Sequence, residues 1–138
     1  MATARHRCDD GLVTTFLIVD DHASFRAQAK ALLEENGYVV VGEAVDGGSG
    51  IEMVRVLRPD AVLLDIGLPD IDGIEVARRL AEAPAPPAAV LTSSREAAEY
   101  GPRLTSCPAA GFIAKDELSG PAIAALLAGV RTSPGAGR

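Results

Sequence analysis

The chain has no tryptophan, and aromatic residues make up only 4% of its 138 positions, so a core must be built mostly from aliphatic side chains and alanine. Cysteine is nearly as scarce. Cys8 and Cys107 lie far apart and form neither a disulfide framework nor a metal-ligand spacing, and His6 and His22 cannot complete a zinc site with them. A reducing cytoplasm fits that usage. Basic clusters are missing as well. With 13 Lys and Arg against 19 Asp and Glu the formal net charge is -6, which argues against a direct grip on nucleic acid. No run is long enough to span a bilayer. Arg5 and Arg7 followed by LVTTFLIV imitate a signal peptide, but the run is short, holds two threonines and stops at Asp20-Asp21 instead of a small-residue cleavage site.

What is present is an alternation of strand-like and helix-like segments. Phe16 to Val19 reads as a first buried strand. Phe25, Ala29, Leu32 and Leu33 follow at helical spacing, and Asn36-Gly37 closes that helix as a left-handed cap would. Tyr38 to Val41 predicts a second strand and Gly47 to Leu57 a second helix, stopped at Pro59. Ala61 to Leu64 is apolar throughout, as expected of a parallel strand covered on both faces. A helix from about Asp72, a fourth strand Ala89 to Thr92, a fifth strand Gly111 to Ala114 and a last helix striped by Ile123, Leu126, Leu127 and Val130 complete five β-α units. Residues 14–131 are thus expected to form one α/β domain, a doubly wound five-stranded parallel sheet, with disordered tails at 1–13 and 132–138.

Three carboxylates share one feature: Asp20, Asp21 and Asp65 all close strands. Open α/β sheets bind ligands beyond those ends, where strand order reverses, and an order of 2-1-3-4-5 would bring all three together. Thr92 ends the fourth strand and Lys115 the fifth, adding a hydroxyl and an ammonium to the same rim. Each residue alone has a duller reading. Asp20 and Asp21 could cap the first helix, a contribution of ~1 kcal/mol. Asp65 alone suits a turn, Thr92 a strand-end cap, Lys115 a solvated surface, and Phe112 the core.

Together, LIVDDHASF, VLLDIGLPDIDGIE, VLTSS and GFIAKD resemble the motifs of the response-regulator receiver domain, in order and in approximate spacing, over about residues 15 to 130. KDELSG after the fifth strand is most similar to receivers whose usual output is a helix-turn-helix domain, the NarL/FixJ-like class. The resemblance implies a flavodoxin-like fold with Asp65 as phosphoacceptor. Mg²⁺ would be held by Asp21, Asp65 and the backbone carbonyl of Gly67, with Asp20 acting through water. Lys115 would pair with the phosphoryl group, and Thr92 and Phe112 would act as switch residues.

It also implies a sensor histidine kinase or phosphotransfer protein as donor and a protein partner as target, through the fourth helix, fifth strand and fifth helix. A phosphorylation-dependent homodimer is compatible with that. Neither nucleic acid nor membrane is an expected direct partner. The chain would catalyse only its own phosphorylation and dephosphorylation. Two departures stand out: Asp116 occupies the place where many receivers carry proline after the lysine, and Gly101-Pro102 is expected to break a fourth helix that Ser93 and Glu96 would open as a capping box.

A stand-alone phosphoacceptor is the leading expectation. The alternatives are the receiver half of a transcription regulator and a phosphatase of the haloacid-dehalogenase type. The last is disfavoured because His22 stands where that class needs a second aspartate, and no cap domain has room.

Overall fold

The computed structural model describes residues 13–95 and 99–132. Its elements run β1 (Thr15–Val19), α1 (Ala23–Glu35), β2 (Val39–Ala44), α2 (Gly47–Leu57), β3 (Ala61–Asp65), α3 (Gly73–Leu80), β4 (Ala88–Ser93), α4 (Pro102–Thr105), β5 (Gly111–Ala114) and α5 (Gly120–Thr132). All pairings are parallel and the order is β2-β1-β3-β4-β5. That order places the reversal between β1 and β3.

Alternation along the strands divides the apolar residues between two faces. Leu17, Val19, Val62, Leu64 and Leu91 point to one core, which includes Val54 of α2 and Val76 and Leu80 of α3. Phe16, Ile18, Leu63, Val90 and Ile113 point to the other, against Ala29 and Leu33 of α1 and Ile123 of α5. Phe16 is the one aromatic among the fully buried side chains, and Tyr38 meets it edge-on at 5.1 Å. The core is aliphatic, as the composition requires.

Short, specific punctuation fixes the loops. Gly37 takes φ +88° after α1, the left-handed position anticipated from Asn36-Gly37. Ser119 Oγ accepts from the Ala122 N–H at 3.1 Å, so α5 starts as a capped helix with Pro121 in its first turn. Asp46 and Asp72 cap α2 and α3 through the N–H groups of Ser49 and Glu75. No helix among the described residues is long and apolar enough to cross a membrane.

One expectation is corrected. The second strand runs on to Ala44: a shift in register between Phe16 and Leu17 takes up Val41 as an extra residue, and Gly42 resumes the pairing opposite Leu17. Ser93 is a buried strand residue; its hydroxyl accepts from the Arg95 N–H at 3.0 Å and meets the hydroxyl of Tyr100. The proposed box partner Glu96 lies outside the described residues, as do the two tails through residue 12 and from 133, and the side chain of Val130. The break expected at Gly101-Pro102 is present, and a further helical turn begins directly behind it. Gly101 has φ +60° and Pro102 is the first helical residue, where its missing N–H costs nothing, so α4 is a single turn placed after the break.

One glycine sets how closely α3 approaches the sheet. A Cβ on Gly73 would lie 2.3 Å from the Asp65 carbonyl oxygen and 2.8 Å from Ile66 Cα, both backbone atoms that cannot yield alone. Gly73→Ala should therefore cost about 1–3 kcal/mol, the usual penalty for overpacking. Gly129→Ala, with open space around the new methyl in α5, should be neutral or stabilising by up to ~1 kcal/mol. Urea denaturation of the two variants checks the contrast.

Candidate functional site

Sheet register brings the strand ends into line. Val19 of β1 pairs with Leu64 of β3, so Asp20 emerges beside Asp65, and Asp65 pairs with Thr92 of β4. Ser93 pairs with Ala114 of β5, which delivers Lys115 to the same edge. The predicted convergence is realised: the ligand atoms of Asp20, Asp21, His22 and Asp65 all lie within 4.8 Å of one another.

Asp20 is the most constrained. Its backbone N–H continues the sheet to Ala44 O at 3.0 Å, and its carbonyl accepts from Arg26 at 2.7 Å. Its carboxylate is buried, with Oδ1 accepting from the His22 N–H at 2.8 Å and Oδ2 lying 2.7 Å from Lys115 Nζ. That last contact is an ion pair without hydrogen-bond geometry. Asp21 is partly exposed, 3.1 Å from His22 Nδ1. Neither aspartate caps α1. The cap position is His22, which makes no side-chain cap bond, so the helix-cap reading of the pair is set aside.

Asp65 is buried at 4% exposure, far from a turn-like surface carboxylate. Its Oδ1 accepts from the Gly67 N–H at 3.2 Å and its Oδ2 lies 3.6 Å from Lys115 Nζ. Burial, then the neighbouring Asp20 charge, push its pKa up; Lys115 and the Gly67 N–H pull against them, and Asp21 adds a further push. Lys115 is no solvated lysine. Its side chain is 16% exposed and its ammonium lies 4.4 Å from the centre of the Phe25 ring. The Thr92 hydroxyl is fully buried and has no hydrogen-bond partner. Phe112 stands apart from this group, half-buried with its ring 6.4 Å from that of Tyr100 and packed on the α2–α3 side.

The donor set fits a hard cation. It offers several carboxylate oxygens, and the buried Thr92 Oγ1 lacks a hydrogen-bond partner, a state that is costly unless a ligand completes it. Among the described residues, the Lys115 ammonium answers two of these carboxylates, Asp20 and Asp65, and Asp21 lies beside His22. Gly67 lies two residues beyond Asp65 with its N–H turned to that carboxylate, and nothing crowds its Cα.

Four contributors are absent from the sequence reading. His22 enters the sequence reading as an excluded zinc ligand and as a departure from the haloacid-dehalogenase pattern, although its place directly after two aspartates puts its Nδ1 3.1 Å from both carboxylates. Phe25 was counted in the apolar stripe of α1, although it sits within one turn of the acidic pair. Arg26 links the Asp20 carbonyl to Glu43 at 2.9 Å. Asp70 accepts from the N–H groups of Gly47 and Gly48 at 2.8 Å each, which hold its pKa at about 2. The Gly47-Gly48 start of α2 was the available signal for that last contact.

A family model described as the response regulator receiver domain matches residues 16–126. A solved two-component response regulator of the LuxR family from Aurantimonas sp. SI85-9A1 is 30% identical, covers 85% of this chain and 86% of its own, and superposes with a TM-score of 0.76. The response regulator domain of Thermotoga maritima CheB is 28% identical, covering 91% and 99%, with a TM-score of 0.69. The DNA-binding transcriptional activator EvgA of Escherichia coli K12 is 31% identical over 80% of this chain and 54% of its own length. A Pseudomonas aeruginosa protein is 39% identical over 73% and 49%. The chain spans about half the length of the curated relatives it matches.

The raised pKa of Asp65 carries a sign. Between the unfolded value near 3.8 and the higher folded one, the native state binds more proton than the unfolded state, so this group's contribution falls as pH rises through that window. Asp65→Asn should accordingly raise the melting temperature by a few degrees at pH 7 without metal. The gain should shrink as pH falls through the folded pKa toward 3.8. Thermal melts across pH in EDTA measure it; no gain at pH 7 would contradict the account.

Proposed function

Because the chain belongs to the response regulator receiver domain family, we propose that it is a phosphoacceptor switch. In this reading Asp65 takes a phosphoryl group from a phosphohistidine of a sensor histidine kinase or phosphotransfer protein, or from a small acyl phosphate. One observation carries the assignment: a buried carboxylate at the switch point, flanked by two more and faced by one ammonium. An ionised Asp65 oxygen attacks phosphorus, the P–N bond to the donor imidazole breaks, and the imidazole leaves with the bonding pair and takes up a proton. The Gly67 N–H and Lys115 stabilise the anionic nucleophile against the burial that disfavours it.

Lys115 then pairs with a phosphoryl oxygen, and Thr92 donates its hydroxyl to another without breaking an existing hydrogen bond. Mg²⁺, held by Asp21, Asp65 and the Gly67 carbonyl with Asp20 acting through water, would supply the charge neutralisation that one ammonium cannot. The chain catalyses no reaction beyond gaining and losing its own phosphoryl group, and it works in the cytoplasm with its donor.

Output is proposed to pass through protein contacts on the face made by α4, β5 and α5, a second copy of the chain being one such contact. Thr92 ends β4 and Lys115 follows β5, next to that face, and the Phe112 ring of β5 lies 6.4 Å from that of Tyr100. A second reading, the receiver of a transcription regulator, is favoured by one finding: the relatives with which it shares half their length include a DNA-binding transcriptional activator. A genome-wide transcript change in cells carrying Asp65→Ala, absent from cells carrying a silent control, would support it.

Incubation with acetyl phosphate and Mg²⁺ should add one phosphate mass to the intact chain, and Asp65→Ala or EDTA should abolish the gain. Phosphate retained on another residue of the Asp65→Ala protein would overturn the assignment. Thr92→Ala should still be phosphorylated, but with smaller phosphorylation-dependent changes in amide exchange over residues 99–107, since a hydroxyl contact biases a two-state element and is not needed for attack. A wild-type response in that variant would remove Thr92 from the switch.

A further inference from the structure

We propose that Phe25 is a positioning residue for the phosphoryl-binding lysine, its ring face holding the Lys115 ammonium over the acidic cluster through a cation–π contact. The kinetic consequence rests on the phosphoacceptor reading; the contact itself does not.

Phe25 is the third residue of α1, and helical side chains lean toward the N-terminus of their helix. The ring therefore reaches back over the turn that carries Asp20, Asp21 and His22. Lys115 arrives from the opposite side at the end of β5, where a short 3₁₀ turn, Lys115–Glu117, begins. Its Nζ lies 4.4 Å from the ring centroid, inside the ~6 Å range of such contacts, and the lysine is largely shielded from water, which strengthens the attraction.

What the ring contributes is specific. A lysine is a compact charge on a flexible four-carbon stem, and a rim of carboxylates can draw it to several places. Asp20 holds it at 2.7 Å while Asp65 lies farther off at 3.6 Å. A carboxylate on the third side would compete with the incoming phosphoryl group for N–H donors. A π face attracts the charge, accepts no strong hydrogen bond, and leaves the ammonium's donors for oxygen. A leucine of similar bulk fills the space and supplies no such attraction.

Lys30 and Lys115 are the two lysines of the chain, so a protein labelled with ¹³C-lysine gives two sets of side-chain signals. Lys30 pairs with Glu34 on the exposed side of α1 and serves as internal reference. In the full chain, the ε-methylene of Lys115 should be shifted upfield of Lys30 by the ring current, and Phe25→Leu should remove that shift. Phosphorylation by acetyl phosphate with Mg²⁺ should slow about tenfold in Phe25→Leu, and Phe25→Tyr should recover most of the rate. In a Lys115→Ala background, Phe25→Leu should change the rate no further. An unmoved Lys115 signal in Phe25→Leu, a Phe25→Tyr variant as slow as Phe25→Leu, or an undiminished Phe25→Leu effect without Lys115 would each overturn the proposal. Should the wild-type chain take up no phosphate at all, the phosphoacceptor reading falls, while the lysine signals still decide the contact.

Discussion

Everything at the rim depends on one ammonium placed among three carboxylates. Taking Asp20 and Asp65 out of water costs several kcal/mol each unless an opposite charge or good hydrogen bonds offset it. Lys115 answers Asp20 at 2.7 Å and Asp65 only at 3.6 Å, so the compensation is uneven. Asp65, the more distant of the two, has its proton affinity raised by burial. A site left under-neutralised in this way has a standing affinity for positive charge, and that tension is built by sheet register, since β1, β3 and β5 end on the same edge.

Much of this was legible in the sequence, for reasons that differ by element. The strands of the interior, Ala61 to Leu64 above all, are apolar without interruption, and such runs leave little choice of conformation once helices must cover both faces. Asn36-Gly37 could be read because a left-handed residue has a chemical signature. The cluster of Asp20, Asp21, Asp65, Thr92 and Lys115 could be read because short loops fix where a strand-end residue must lie. The second strand was read three residues short because an exposed edge strand carries a weaker alternation, with Val39 and Val41 facing outward and Gly42 inside it. The break at Gly101-Pro102 was legible, but the single turn that starts behind it was not, because Pro102 can also serve as a first helical residue and only the fold around it chooses.

Contacts between side chains distant in sequence were the least visible. Nothing in the order of residues places Phe25 over Lys115, or Arg103 against Asp72, because each pairing needs two loops to be correct at once. The fold itself is shared with proteins of varied output, from a LuxR-family regulator to CheB, so it says what surface is available and not what the surface does.

Asp70 and Gly73 together make the rim mechanically lopsided. The loop after β3 is tethered at one point to the start of α2 by two charge-assisted hydrogen bonds, and at the next to the strand backbone by a helix that can come no closer. On the opposite flank stand a one-turn helix and a hydroxyl with nothing bound to it. The two flanks of Asp65 are therefore held by different means: fixed backbone hydrogen bonds and close packing toward α2 and α3, and toward β4 and β5 a one-turn helix and a buried hydroxyl without a hydrogen-bond partner.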